Sequence, residues 1–317
     1  MEDIMSKTVF LFSGQGSQYA GMGAELMDRY AEAKAVFDEA SEVLGFDLAD
    51  KCRNADEAEL AKTVISQPAI MAVSLAAYEA MKANGIEASA AAGHSLGEYA
   101  AMTASGMLSR SEAFKVIKAR SEAMQKAAES SDGAMCAVIG KDLSSVEAVC
   151  AETEGYVTPV NYNSAAQIVI AGEKKAVEAA AAKFAENGLR TAMLKVTAAF
   201  HSKLMQPAAD EFYEKIKDVQ FAKPEIDFYS NITGNVLDDF DNIPEKLAKH
   251  IVSPVRFTDE LNNMAAAGYD RFIELGPNKV LSGLVKKTLK GVSIYNIENN
   301  ATLDKFLEEI SNKKVLS

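Results

Sequence analysis

The chain has 317 residues, 48% of them hydrophobic and 25% charged, and a net charge of -12. That is the balance of a globular protein with a sizeable core, built as one large domain or two smaller ones, and its excess of acid excludes nucleic acid as the expected partner. Cys52, Cys136 and Cys150 have no CxxC spacing, so neither a disulfide framework nor a thiolate metal site is expected.

The start, Met1-Glu2-Asp3-Ile4-Met5-Ser6-Lys7, leads to an apolar run of only residues 9–12. Such a run is too short for a signal peptide or a membrane span, so a cytoplasmic protein without membrane attachment is the expectation. Residues 8–12 read as a buried strand that ends in Ser13-Gly14-Gln15-Gly16-Ser17-Gln18. A dinucleotide loop would need a third glycine and a later acidic residue that this stretch lacks. Gln15 stands between two glycines at the C-terminal edge of a strand, where α/β proteins hold ligands. On its own it is a turn residue more often than an oxyanion donor.

Residues 24–44 carry Leu26, Tyr30, Ala33, Phe37, Ala40 and Leu44 at helical spacing, stopped by Gly45, which predicts one amphipathic helix. A second is predicted over residues 67–83, with Ser66 as cap and Pro68 in its first turn. Then comes Ala90-Ala91-Ala92-Gly93-His94-Ser95-Leu96-Gly97-Glu98-Tyr99, which reads as strand, sharp turn and helix. Gly-x-Ser-x-Gly in that setting is the pattern of a nucleophile elbow, with the serine held in a strained conformation and its hydroxyl presented clear of the chain. The helix start also turns the backbone N–H of Leu96 towards the place where an oxyanion would form. The plainer alternative is a tight turn that needs glycines.

Ser109 and Glu112 make a capping-box pattern opening a helix to about residue 129. Arg120 falls inside its apolar stripe with Ala113, Val116, Ile117, Met124 and Ala127. A guanidinium buried there costs several kcal/mol (about 2–5) unless an anion meets it, whether an internal carboxylate or a ligand's. Residues 134–139, 144–152, 157–161, 167–171, 174–186 and 190–196 then read as β, α, β, β, α, β, the order of a ferredoxin-like unit. It predicts a small subdomain over residues 132–197, inserted into a larger domain made of residues 1–131 and 198–317. Beyond it, strands at 226–230, 271–275 and 292–297 alternate with helices, which implies a largely parallel sheet covered on both faces.

A serine nucleophile needs a base, and the chain has three histidines, His94, His201 and His250. His94 adjoins Ser95 at a strand end, where successive side chains point to opposite faces, so packing is its expected role. His201 and His250 both lie downstream of the serine, as in α/β serine hydrolases. His201, at the return into the large domain, is preferred, although either histidine alone is equally compatible with a structural role. No orienting Asp or Glu stands out by pattern, and a backbone carbonyl would hold the imidazole as well.

Gly14-Gln15-Gly16-Ser17-Gln18, Gly93-His94-Ser95-Leu96-Gly97-Glu98, the segment from Arg120 to Met124, Ala199-Phe200-His201-Ser202, Ser253-Pro254-Val255-Arg256 and Gly276-Pro277-Asn278-Lys279-Val280-Leu281 occur in one order and spacing. Over essentially the whole chain this resembles the malonyl-CoA:acyl carrier protein transacylases of fatty acid synthesis. The resemblance implies a ping-pong acyl transfer in which Ser95 attacks the malonyl thioester and His201 is the general base. The backbone N–H groups of Gln15 and Leu96 would hold the oxyanion, and Arg120 would clamp the free carboxylate of the acyl group. It also implies a hydrolase-like large domain with a ferredoxin-like small one and the site between them. Malonyl-CoA and acyl carrier protein are the implied partners of a monomer, with no cofactor beyond the CoA thioester and no metal.

Phe200 resembles the malonyl-selective form of its loop, where the ring would crowd an α-methyl branch. His250 stands where many members carry a glutamine whose backbone carbonyl orients the catalytic histidine, Ser13 replaces a common proline and Asn278 a common glycine. The alternative activities are a serine α/β hydrolase or thioesterase, which has no need of Arg120, and a non-catalytic docking module, which has no need of Ser95, His201 and Arg120 together. Because carrier proteins are themselves acidic, a local basic surface drawn from Lys195, Lys203, Lys286, Lys287 and Lys290 is expected.

Overall fold

The computed structural model describes residues 7–196 and 198–316; the initial segment and Thr197, at the predicted return into the large domain, lie outside the described residues. The first strand, β1 (Lys7–Phe12), is followed by α1 (Ala24–Arg29), α2 (Ala31–Leu44), α3 (Leu48–Asn54), α4 (Glu57–Leu60), α5 (Thr63–Ala83), β2 (Ala90–Gly93), α6 (Gly97–Ala104) and α7 (Arg110–Glu129). Next come β3 (Gly133–Ile139), α8 (Val146–Ala151), β4 (Val157–Ser164), β5 (Gln167–Glu173), α9 (Lys174–Glu186) and β6 (Arg190–Met193). The chain ends with α10 (Gln206–Ile216), β7 (Asp227–Ser230), β8 (Asn235–Val236), α11 (Ile243–Ile251), α12 (Phe257–Ala266), β9 (Tyr269–Leu275), α13 (Val280–Thr288), β10 (Ser293–Ile297) and α14 (Asn300–Leu316).

The larger sheet has the order β10-β9-β1-β2-β7-β8, parallel except for the β7–β8 pair. The central strand β1 is buried on both faces, as a continuous apolar run requires in a parallel sheet. Phe10 and Phe12 enter one core with α2, α5 and α7, whereas Val9 and Leu11 enter a second with Phe257, Leu261, Leu281 and Leu284 from α12 and α13. Helix α5 is apolar enough by length and composition to span a bilayer, but it is largely enclosed by this first core.

The smaller sheet, β4-β5-β3-β6, is wholly antiparallel. Ala134, Cys136 and Val138 pack one face against Val146, Cys150, Val177 and Phe184 of α8 and α9. Both helices therefore cover the same face, and the order is the ferredoxin-like one. Met135, Ala137, Val169 and Ala171 point the other way and join the main core. The period-2 alternation of these strands is what lets one sheet serve two cores.

Three local expectations need correction. Residues 24–44 form two helices, because Tyr30 is extended at φ -118° and ψ 120°, with its hydroxyl accepting from Asn84 Nδ2 at 3.1 Å. Helix α5 starts before residue 67, so Ser66 is buried within it and Pro68 lies in its second turn. Its cap comes from another helix: Gln125 Oε1 of α7 accepts the N–H of Thr63 at 2.8 Å. The short helices α3 and α4 were not anticipated, although Asp47 and Asp56 cap them through Asp50 N–H and Glu59 N–H, both at 2.8 Å.

Candidate active site

Strands β1 and β2 pair in parallel with Phe12 opposite Gly93, so the loop after β1 and the turn after β2 leave the sheet side by side at its C-terminal edge. In that turn Ser95 has φ +55°, a conformation rare for a residue with a Cβ and sustained only where the surroundings hold it. The flanking glycines are required by space. A Cβ on Gly93 would meet the Gly97 carbonyl carbon at 2.0 Å, and one on Gly97 would meet Phe12 O at 2.1 Å.

His201, on the loop leading into α10, also has positive φ, at +63°. Its Nε2 is 2.8 Å from Ser95 Oγ. Its Nδ1 lies 3.0 Å from the carbonyl oxygen of His250 and 3.1 Å from that of Ser253. Two acceptors at Nδ1 place the ring proton there and leave Nε2 free to accept the serine proton. Burial, then the neighbouring His250 and Arg120, hold the His201 imidazole well below its ordinary value of 6.5. At neutral pH it is therefore a neutral base.

Arg120 comes from the apolar face of α7 and is fully buried. Its Nη2 donates to Ser95 Oγ at 3.0 Å and its Nη1 to Gln67 Oε1 at 2.8 Å. Its carbon Cζ lies 5.4 Å from the centroid of the Tyr99 ring. Among the described residues no carboxylate pairs with it, so the internal ion pair that the sequence left open is not formed. Desolvation works against the guanidinium charge more than Tyr99 and the more distant Glu98 support it, and an anion brought to this point would meet a cation that no carboxylate pairs directly.

Ser95 and His201 open onto a cavity of about 310 Å³, with Arg120 buried beside the serine and outside the lining. Gln15 and Gly16 line it from the first loop, Met135, Val169 and Asn163 from the smaller sheet, and Phe200 from the base loop. Leu96 lies just before α6, and its N–H and that of Gln15 make no hydrogen bond within the protein among the described residues. His94 lines the same cavity but is held by Asn163 at 2.7 Å and by an edge contact with Phe257, so it does not reach the serine. Of the five lysines singled out above, Lys195 is at the cavity and 3.6 Å from Glu57. Lys203 covers the Tyr156 ring at 4.1 Å, and Lys286, Lys287 and Lys290 are exposed on and beyond α13. Asn278 takes φ +63°, a conformation asparagine tolerates nearly as glycine does.

Sequence reasoning passed over Gln67 and Asn231. Gln67 reads as one more residue of a scaffold helix, yet it holds the guanidinium. Asn231 reads as a turn residue, yet its Oδ1 accepts the N–H of Ser95 at 2.7 Å. An amide in an otherwise apolar helix was the one available signal for Gln67.

An acyl transferase domain model matches residues 9–312. The malonyl CoA-acyl carrier protein transacylase of Bacillus subtilis (strain 168) is 40% identical over 304 residues, covering 95% of this chain and 96% of that protein. Its counterpart in Escherichia coli (strain K12) is 38% identical over 287 residues, covering 89% and 93%. The crystal structure of malonyl CoA-acyl carrier protein transacylase from Clostridium perfringens superposes with a TM-score of 0.94 at 38% identity, over 98% of this chain and 99% of that one. A malonyl-transacylase solved in complex with its type II PKS acyl-carrier protein superposes with a TM-score of 0.91 at 35% identity, over 96% and 100%.

Proposed function

Because this chain belongs to the acyl transferase family, among the malonyl CoA-acyl carrier protein transacylases, we propose that Ser95, His201 and Arg120 move a malonyl group from CoA to the phosphopantetheine thiol of an acyl carrier protein. The observation that carries this reading is the buried guanidinium of Arg120, free of any internal carboxylate and 3.0 Å from Ser95 Oγ. It fits a three-carbon acyl group whose own carboxylate lies one methylene beyond the thioester carbonyl, and nothing in a plain esterase calls for it.

In the first half-reaction Ser95 Oγ attacks the thioester carbon as His201 Nε2 takes the hydroxyl proton. Negative charge develops on the carbonyl oxygen, where the N–H groups of Leu96 and Gln15 would stabilise it. Collapse breaks the C–S bond, CoA leaves with the proton from His201, and a malonyl ester remains on Ser95. In the second half-reaction the carrier thiol gives its proton to His201 and attacks the ester. Its collapse transfers malonyl to sulfur and returns the proton to Ser95. All the chemistry is supplied by side chains and backbone, so the reading requires no cofactor or metal. The insertion acts as a separate subdomain that roofs the acyl pocket, with Lys195 at the rim as a contact for an acidic carrier.

Incubating the chain with malonyl-CoA and phosphopantetheinylated carrier, followed by mass analysis, tests the reading. Malonyl-carrier is expected, with free malonate a minor product. Free malonate as the main product would mark a thioesterase, and no turnover at all would mark a docking module.

The lowered His201 value makes a further expectation. The neutral imidazole is the active form, so as pH falls through 6.5 the base stays competent and kcat/KM holds, failing only at lower pH. A pH profile of malonyl transfer whose acid limb has its midpoint at or above 6.5 would contradict this. Phe200 supplies a specificity test. If its ring crowds an α-methyl branch, Phe200→Ala should raise kcat/KM for methylmalonyl-CoA relative to malonyl-CoA by about 10-fold, since one methyl is worth ~1–3 kcal/mol in a pocket. An unchanged ratio would remove that role.

A further inference from the structure

Glu98 stands in the first turn of α6, three residues beyond the nucleophile, and is 2% exposed. Its two oxygens face opposite halves of the site. Oε1 accepts the N–H of Asn231 at 2.6 Å, in the turn after β7. Asn231 then spends its side chain on the elbow: Oδ1 accepts from Ser95 N–H at 2.7 Å, and Nδ2 donates to Gly93 O at 2.6 Å and to Glu260 Oε1 at 2.7 Å. One asparagine thus pins a backbone group on each side of His94, in a turn whose positive φ depends on being held.

The other oxygen reaches the base. Glu98 Oε2 lies 2.9 Å from His250 Nδ1, at ion-pair distance though not aligned as a hydrogen bond. The backbone carbonyl of His250 is one of the two acceptors for His201 Nδ1, and the two imidazole centroids are 5.2 Å apart. A shift of the end of α11 would therefore move the carbonyl that fixes the tautomer and direction of His201.

Other charged or titratable groups surround this carboxyl. Glu260 approaches from α12, Arg120 from α7, Tyr99 from α6 itself and His94 from the elbow. Lys246 and Lys249 share with Glu98 and His250 a small cavity behind the base. Burial and the nearby Glu98 push Glu260 well above the usual carboxylate range.

We propose that Glu98 is a positioning residue that holds the Ser95 elbow through Asn231 and the His201 imidazole through His250, setting their mutual distance from a single buried carboxyl group. This rests on the acyl-transfer reading for the turnover it affects, but the arrangement of serine and base can be read out separately.

The test compares Glu98→Ala and Glu98→Gln with the native chain in two assays: malonyl transfer, and inactivation by diisopropyl fluorophosphate. In the second, Ser95 Oγ forms the O–P bond as fluoride leaves and His201 takes the proton, with no carboxylate for Arg120 to bind. Glu98→Ala should lower kcat and the inactivation rate together by 30-fold or more, with KM for malonyl-CoA within threefold of native. Glu98→Gln keeps an acceptor for Asn231 N–H but loses the pairing with His250, and should recover at least a third of a decade of both losses while remaining at least threefold below native. Native-like values in both variants, a loss confined to KM, or transfer that falls while inactivation does not would overturn the proposal. If Glu98→Ala fails to fold, Glu98→Gln decides alone: a fall of threefold or more in both rates supports it, and a smaller one overturns it. A native chain that forms no malonyl adduct yet is inactivated faster than Glu98→Gln would defeat the acyl-transfer reading and leave this one standing.

Discussion

Ser95→Ala should abolish malonyl transfer, a loss of about a millionfold, because on the proposed mechanism this hydroxyl carries the acyl group between two thiols. His201→Ala should cost nearly as much. A hydroxyl whose proton has no acceptor at 2.8 Å is a poor nucleophile, and on the proposed mechanism the replacement also removes the ring that returns a proton to the departing CoA sulfur and then to Ser95. On the proposed mechanism the two residues act as one unit, so the double variant should be little worse than either single one. Steady-state assays of all three at high enzyme concentration would check this. If each change costs about as much in the background of the other as it does alone, the losses are independent, and Ser95 and His201 do not share one step.

The second large effect belongs to Arg120. Removing one partner from a buried, hydrogen-bonded ion pair costs about 3–5 kcal/mol, so Arg120→Ala should lower kcat/KM for malonyl-CoA by about a hundred- to several-thousandfold. Acetyl-CoA offers no carboxylate and should lose far less. Arg120→Lys should not restore malonyl use, because an ammonium lacks the planar fork that can reach both Gln67 and a carboxylate. The measurement is kcat/KM for both thioesters with each variant, beside melting temperatures that separate misfolding from lost recognition. Equal losses for the two thioesters would leave Arg120 as a structural cation.

The parts of the site that could be read before the structure are those coded by local chain geometry. Gly93 and Gly97 mark the elbow because no other residue fits there, and Arg120 marks itself by charge in an apolar stripe. The ferredoxin-like insertion was legible because its strands and helices alternate with clear turn residues between them. What remained hidden depends on contacts between distant segments. The break at Tyr30 leaves the apolar period uninterrupted, and the start of α5 is capped by Gln125, some sixty positions away in the chain. Gln67 and Asn231 are ordinary helix and turn residues until folding sets one against Arg120 and the other against Ser95. The support of His201 by carbonyl oxygens is invisible to residue type, since every residue has one; the resemblance alone pointed to the carbonyl of His250, and nothing pointed to that of Ser253.

The most direct test of the central claim, that a buried cation beside the nucleophile selects the acyl group, is the intact mass of the native chain quenched after brief mixing with equal concentrations of malonyl-CoA and acetyl-CoA, carrier omitted. The expected product carries one malonyl group, found on Ser95 after digestion, with acetyl adduct scarce. Adducts of both kinds in equal amount, or none on Ser95, would contradict it.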